Sequence, residues 1–257
     1  MKRKIFFFDM DGTLLPHGVN QTISENNLYA LNKLEELGYH VVLNTGKSYS
    51  MCFDQLKLYN FKTAITSNGQ NIIHNNEIIY SGCFENEDIT YWIEYAKNNN
   101  LQIGFQTDNK QYILNSNEAD KYRRICFEHL NVDLPIIIDN LDSNVNVQQI
   151  WLLGNVGNLS LRDDFDYFRW HDYACDVQLK GINKGSGALR VIEHLGYQDA
   201  EIYAFGDGEN DLSMFKISDV SVAMNDASDF VKANASNITT SASEDGVYNF
   251  LKLDEII

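Results

Sequence analysis

Proline is nearly absent from this chain of 257 residues. It occurs twice, at Pro16 and Pro135, so it cannot mark joints between domains. Cysteine is sparse too. Cys52, Cys83, Cys126 and Cys175 lie far apart with no C-x-x-C pair, which argues against a disulfide framework or cysteine metal site. It predicts four buried, reduced thiols in a cytoplasmic protein. Positive charge is short: 20 Lys and Arg stand against 36 Asp and Glu, a net charge of −16. Such a chain lacks the cationic excess that holds nucleic-acid backbones, though a small anionic substrate stays admissible if something local supplies positive charge. No apolar run approaches the roughly 20 residues that span a bilayer. Met1-Lys2-Arg3-Lys4 followed by Ile5 to Phe8 imitates the start of a secretory signal, but Asp9 and Asp11 end the apolar part at once. The six histidines show no H-x-x-x-H spacing. What remains is ordinary for a folded globular protein, 44% hydrophobic and 22% charged, long enough for one large domain or two modest ones.

The first third alternates strand and helix signals. Lys4 to Phe8 is a continuous apolar run, as in a strand buried on both faces. Ser24 can cap a helix with Leu28, Leu31, Leu34 and Leu37 at helical spacing and Gly38 as its stop. His40 to Leu43 reads as a strand, Ser48 to Leu58 as a helix, and Ala64 to Thr66 as a third strand. This order calls for a parallel sheet flanked by helices. Asn71 to Ile73 and Ile78 to Tyr80, joined through Asn75-Asn76, predict a hairpin.

From Cys83 to Lys180 the texture changes to dense Asn, frequent aromatics and shorter, mixed signals. A helix is expected over Glu87 to Asn98 and another over Arg162 to Phe168. Strands are expected at Tyr112 to Leu114, Pro135 to Ile138, Gln148 to Leu153 and Ala174 to Leu179. After Gly181 the first pattern resumes. The helix Lys184 to Leu195 should bury Ala188, Leu189, Ile192 and Leu195. The strand Glu201 to Phe205, a short helix Leu212 to Lys216, the strand Val220 to Ala223 and a helix Ser228 to Ala233 follow. The reading is a core of residues 1–82 and 181–257 interrupted by an α+β insertion, 83–180.

Chemistry concentrates at strand ends. Asp9-Met10-Asp11-Gly12-Thr13 follows the first strand directly, and ligands of open parallel sheets bind at the carboxyl ends of strands. Alone, the acid pair could be a capped turn. Gly206-Asp207-Gly208-Glu209-Asn210-Asp211 also follows a strand. If both strands are central, Asp9, Asp11, Asp207 and Asp211 converge. Two carboxylates about 4 Å apart repel by roughly 4 kcal/mol at an effective dielectric near 20, so the cluster calls for a cation. Hard oxygen donors with room for water and phosphate suit Mg²⁺. Asn44-Thr45-Gly46-Lys47-Ser48 sits at a third strand end and opens a helix, where a hydroxyl and free amides can hold an oxyanion. Lys184, at the start of the helix after Gly181, is the fixed cation an acid-rich phosphate site needs. Either of these last two motifs alone would pass as a helix cap or a solvated lysine.

Strand-DMDGT, strand-NTGK, a helix-opening Lys and strand-GDGEND, in that order, resemble the four motifs of the haloacid dehalogenase superfamily of phosphohydrolases. Ser67-Asn68-Gly69, Asn183-Lys184-Gly185, Ala223 to Ala227 and Glu244-Asp245-Gly246, with the long insertion, resemble its Cof-type branch. The resemblance spans nearly the whole chain, but over Cys83 to Lys180 it rests on length and position. It implies an α/β fold: a Rossmann-like, doubly wound parallel sheet with an inserted α+β cap that sets substrate specificity. It further implies Asp9 as nucleophile and Asp11 as general acid and base. Mg²⁺ would be held by Asp9, the Asp11 backbone carbonyl, Asp207 and Asp211 (directly or through water). Thr45, Gly46, Lys184 and Asn210 would hold the phosphoryl group. Lys47 stands where the branch commonly has Arg, and Asn225-Asp226 replaces the usual Gly-Asn.

The expected activity is Mg²⁺-dependent hydrolysis of small phosphomonoesters, such as a sugar phosphate or phosphorylated cofactor, through an aspartyl-phosphate, with no nucleic-acid or membrane partner; the sequence is compatible with a monomer and does not itself specify the oligomeric state. A phosphomutase or phosphotransferase of the same superfamily, and a receiver-like phospho-switch, are the competing readings. In the insertion, Lys121, Arg123, Arg124, Trp151, Arg169, Trp170 and His171 have the chemistry to touch a leaving group, against a commoner role in core or solvent.

Overall fold

The structure is a computed structural model and describes residues 2–18, 22–107, 110–128, 133–157, 159 and 162–257. It divides into two compact units. One holds Met1–Lys47, Asp54–Tyr80 and Asn183–Ile257; the other holds Ser48–Phe53 and Ser81–Ile182.

The first unit is built on β1 (Lys4–Phe8), β2 (His40–Asn44), β3 (Thr63–Thr66), β4 (Asn71–His74), β5 (Glu77–Ser81), β12 (Glu201–Gly206), β13 (Val220–Ala223) and β14 (Asn237–Ile238). Their order is β14-β13-β12-β1-β2-β3-β4-β5. The pairs from β14 through β3 are parallel, and β4 turns back antiparallel on β3. Phe6, Phe7 and Phe8 are all fully buried, the signature of a central strand covered on both faces. Ile5 and Phe7 pack with Ala188, Val191 and Ile192 of α5 (Lys184–Leu195). On the alternate face Phe8 stacks on Phe205, which meets Phe250 of α8 (Gly246–Leu253) edge-on. Helices on both faces of a parallel sheet make this the α/β, doubly wound core expected from the sequence. The chain steps outward from β1 in one direction through β2 and β3, and later in the other through β12 and β13. The carboxyl ends of β1 and β12 therefore flank the switch point where such sheets bind ligands. Asn75 and Asn76 both have positive φ, as the predicted hairpin turn requires.

The second unit has its own sheet, ordered β10-β11-β9-β6-β7-β8. Its strands are β6 (Gln102–Thr107), β7 (Gln111–Leu114), β8 (Ile136–Ile138), β9 (Val147–Leu153), β10 (Phe165–His171) and β11 (Ala174–Leu179). One face carries Ile103, Phe105, Ile150, Leu152 and Val177 against Ile89, Trp92 and Ala96 of α3 (Asn86–Asn98). The other carries Ile113, Trp151 and Leu153 against Ala119, Cys126 and Phe127 of α4 (Ala119–Phe127).

Several expectations are corrected. Arg162 to Phe168 is not a helix: Phe165 to His171 form β10, paired antiparallel with β11. The acids there resemble a helix start, but Phe165 and Tyr167 alternate onto the α3 side, and that period of two prevails. The apolar face of α1 (Glu25–Glu36) runs through Asn27, Ala30, Leu31 and Leu34, and Leu37 is partly exposed. Asn27 earns its burial by accepting from the Tyr248 amide at 3.0 Å. In α5, Leu189 is half exposed and Val191 takes its place in the core. Cys52, Cys126 and Cys175 are buried, but Cys83 is only partly so; all four are free thiols. Among the described residues no helix is long and apolar enough to cross a membrane.

Candidate active site

Asp9 is the residue after β1, and its amide donates to Phe205 O of β12 at 3.0 Å. Asp207 follows the end of β12, so two adjacent parallel strands, about 4.8 Å apart, deliver two carboxylates side by side. Between them the chain turns at Gly12, whose φ is +81°. A Cβ there would lie 2.2 Å from Asp207 Oδ2, so only glycine fits this turn. Thr13 Oγ1 donates to Asp207 Oδ1 at 3.1 Å, and His17 Nε2 lies 3.2 Å from Asp207 Oδ2.

Carboxylate oxygens of Asp9, Asp207 and Asp211 lie within 4.8 Å of one another. Into this cluster α5 points Lys184, capped by Asn183 and Ser186. Lys184 Nζ donates to Asp9 Oδ1 at 2.5 Å and to Asp211 Oδ1 at 2.6 Å. It is 1% exposed, a burial tolerable for an ammonium only when paired. The other Asp211 oxygen accepts from the amides of Asp207 and Gly208, both at 2.9 Å. Both oxygens of Asp211 are thus committed to organising the loop, whereas Asp9 Oδ2 and the Asp207 carboxylate face fewer partners.

The electrostatics follow. Burial pushes the Asp9 carboxyl up to about 7, against the opposing pull of Lys184. Burial likewise raises Asp207, partly offset by His17, and raises Asp211 against Lys184. For Lys184 burial acts downward, but Asp211 and Asp9 outweigh it and the net direction is up. Three carboxylates sharing one ammonium are short of positive charge, and a small hard divalent cation is what this oxygen-donor set fits.

Asp11 lies apart from that triad. Its Oδ1 accepts from Lys47 Nζ at 2.8 Å, and its side chain is not among the carboxylates that converge. The side chain of Asp11 therefore stands outside the carboxylate cluster of Asp9, Asp207 and Asp211. Thr45 is buried; its amide donates to Ile65 O, and its carbonyl accepts from Asn68 N. Its Oγ1 accepts from the Lys47 amide at 3.2 Å. Asn210 Nδ2 donates to Asn68 Oδ1 at 3.0 Å, and the same oxygen lies 3.2 Å from where a Cβ on Gly46 would stand. Asn68 thus ties the Thr45-Gly46 loop to the Asn210 loop from the left-handed conformation, φ 52° and ψ 37°.

Sequence reasoning assigned no role to Asn68, Thr13 or His17. Thr13 sat inside the acidic motif and Asn68 inside a quoted turn, so a signal existed for both; none marks His17. In the second unit the cations singled out from sequence are engaged: Lys121 with Glu118, Arg123 and Arg124 with Asp120, Arg169 with Asp172. Trp151 packs on Phe127, and Trp170 meets the same ring edge-on.

A family model described as haloacid dehalogenase-like hydrolase matches residues 6–251. The putative phosphatase YkrA of Bacillus subtilis is 28% identical over 250 residues, covering 96% of each chain. The 5-amino-6-(5-phospho-D-ribitylamino)uracil phosphatase YcsE of the same organism is 29% identical, over 95% of this chain and 92% of its own. Among solved structures, the subclass IIB sugar phosphatase BT4131 superposes with a TM-score of 0.87 at 26% identity, over 99% of this chain and all of its own.

Proposed function

This chain belongs to the haloacid dehalogenase-like hydrolases, and on that premise we propose that it is a phosphatase of small-molecule phosphomonoesters acting through an aspartyl-phosphate on Asp9. The observation that carries the reading is the buried ammonium of Lys184 bridging Asp9 and Asp211 beside Asp207. Relatives named as phosphatases over nearly the full length support it.

An Asp9 carboxylate oxygen attacks phosphorus in line, forming an O–P bond as the ester O–P bond breaks. Asp11 gives its proton to the departing alkoxide. It then takes a proton from the water that attacks the aspartyl-phosphate, returning Asp9 as carboxylate and releasing phosphate. Lys47, on one Asp11 oxygen, fixes where that carboxyl points between its two duties. Two anions must meet in the first step. Lys184, the Thr45 hydroxyl, the Gly46 amide and Asn210 are placed in this reading to hold the phosphoryl oxygens and offset the repulsion. Asp9, Asp207 and the Asp11 carbonyl would hold Mg²⁺, with Asp211 contributing directly or through water. When bound, the ion supplies Lewis-acid stabilisation of phosphoryl charge.

Residues 1–82 and 181–257 are taken as the catalytic core and 83–180 as the cap that sets the leaving group. The four free thiols accord with a cytoplasmic setting. The test is phosphate release across a panel of phosphometabolites, with Mg²⁺ and with EDTA. Mg²⁺-dependent release from at least one phosphomonoester is expected. Isomerised product without free phosphate would favour a mutase, and a stable phospho-protein without turnover would favour a switch.

A further inference from the structure

Of the three carboxylates that gather at the sheet edge, two are held by one ammonium. Lys184 donates to Asp9 and to Asp211, and Asp211 accepts two backbone amides besides. The Asp207 carboxylate takes its bonds from elsewhere. Thr13 Oγ1 donates to its Oδ1, and His17 Nε2 meets its Oδ2 at 3.2 Å. An ionised carboxylate only accepts, so the imidazole donates from Nε2. Both partners come from the loop that follows β1, whereas Asp207 follows β12. The loop that presents Asp9 therefore also fixes how the neighbouring carboxylate is turned.

The loop is built to bring His17 there. Gly12 N donates to Leu15 O at 2.7 Å, and Leu14 N and Leu15 N donate to Met10 O at 3.0 and 2.8 Å. Met10, Leu14 and Leu15 are buried and anchor it. Pro16 stands between that anchor and His17, and its ring fixes one of the backbone angles that aim the imidazole. Gly12 completes the fit. A Cβ there would stand 2.2 Å from Asp207 Oδ2 and 2.6 Å from His17 Nε2, so the imidazole and the carboxylate meet in the space a side chain would fill. Asp11 and Asp226 also act on the imidazole, but less than Asp207 does.

The His17 side chain is 62% exposed and that of Asp207 13%. An exposed contact between an imidazole and a carboxylate adds little to stability. Its effect falls on orientation instead. A carboxylate that rotates freely loses that freedom when it takes up an ion, and one already held loses less. A carboxylate has about four lone-pair positions, so one bond on each oxygen leaves others open to a cation.

We propose that His17 is a positioning residue that holds Asp207 for the divalent cation and so sets the affinity of the site for that cation. This rests on the ion-dependent phosphatase reading above and deepens it. His17 acts through Asp207 and not on the ion itself, because the donor atoms that converge are those of Asp9, Asp207 and Asp211. The contrary role is an imidazole that merely occupies Asp207 until an ion displaces it, and it has the opposite sign: removing such a group would tighten binding.

The experiment titrates Mg²⁺ calorimetrically at pH 8 into the full chain as wild type, His17→Ala, His17→Gln and His17→Asn, with the thermal midpoint of each measured in EDTA. Glutamine carries its amide nitrogen about as far from the backbone as Nε2, and asparagine about as far as Nδ1. His17→Ala should weaken Mg²⁺ binding about tenfold or more, since losing a hydrogen-bond partner of a metal ligand costs about 10- to 100-fold. His17→Gln should recover most of that loss and His17→Asn should not, while the midpoints in EDTA stay close to wild type. A His17→Ala protein that binds Mg²⁺ as tightly as wild type, or more tightly, would overturn the proposal and leave the phosphatase reading standing. Recovery by His17→Asn equal to that by His17→Gln would also overturn it, as would a loss of affinity matched by a collapse of the midpoint in EDTA for every variant. Wild type that binds no Mg²⁺ defeats the ion-dependent reading and this proposal with it. If His17→Ala does not fold, His17→Gln against His17→Asn decides: tighter binding by the glutamine variant upholds the proposal, and equal binding overturns it.

Discussion

Replacing Lys184 with Met removes the ammonium that lies 2.5 Å from Asp9 and 2.6 Å from Asp211 while conserving most of the volume. At an effective dielectric near 20, each contact is worth about 6 kcal/mol of gross Coulomb attraction. Desolvation of the buried charges consumes most of that. The net expectation is the loss seen when one partner of a buried pair is deleted, about 3–5 kcal/mol. Burial already raises Asp9 and Asp211, and without Lys184 both shift further up and take protons. The penalty should therefore be largest near pH 8 and shrink toward pH 5, where the acids neutralise themselves. The assay is urea denaturation of wild type and Lys184→Met at both values in EDTA, followed by Mg²⁺ at pH 8. Mg²⁺ should recover part of the loss. A Lys184→Met protein within about 1 kcal/mol of wild type at pH 8, a change ordinary for an exposed lysine, would refute the reasoning.

Mg²⁺ itself should raise the thermal midpoint of wild type, and more at pH 8 than at pH 5, because Asp9, pushed up to about 7, is protonated at pH 5 and no longer serves as a ligand; differential scanning fluorimetry reads this, and no shift at either pH would count against the carboxylate triad. Gly12→Ala forces a side chain onto Asp207 at a positive φ, and should cost about 1–3 kcal/mol by denaturation together with phosphate release. His40 provides a pH test away from the acids. Burial, with His74 and Lys62 nearby, lowers it to about 4, so the folded state binds fewer protons than the unfolded one. Its contribution is present above about 6.5 and is lost as pH falls toward 4. The stability difference between wild type and His40→Asn should therefore narrow across that window, and a constant difference would contradict the burial argument.

The core of the fold was legible because its strands are extreme. Three consecutive buried phenylalanines leave little alternative to a central parallel strand, and the acids directly after it then have to lie at the ligand edge. The inserted unit was harder to read. Asp163 and Asp164, just ahead of β10, imitate a helix start, and β6 hides behind Gln102, Gly104 and Gln106, whose polarity disguises a strand buried along its whole length. α4 and α8 carried no decisive capping signal and were not anticipated. In the site, the residue types were readable but not their division of labour. That Asp211 is consumed by backbone amides and Lys184, and that Asp11 turns to Lys47, are facts of loop geometry. Spacing alone does not encode them.

The most direct test of the central claim is to quench turnover in acid, reduce with borohydride and map the modified residue by peptide mass spectrometry. The account predicts reduction at Asp9, absent in Asp9→Asn. A phosphoryl group trapped on any other residue, or undiminished turnover by Asp9→Asn, would contradict it.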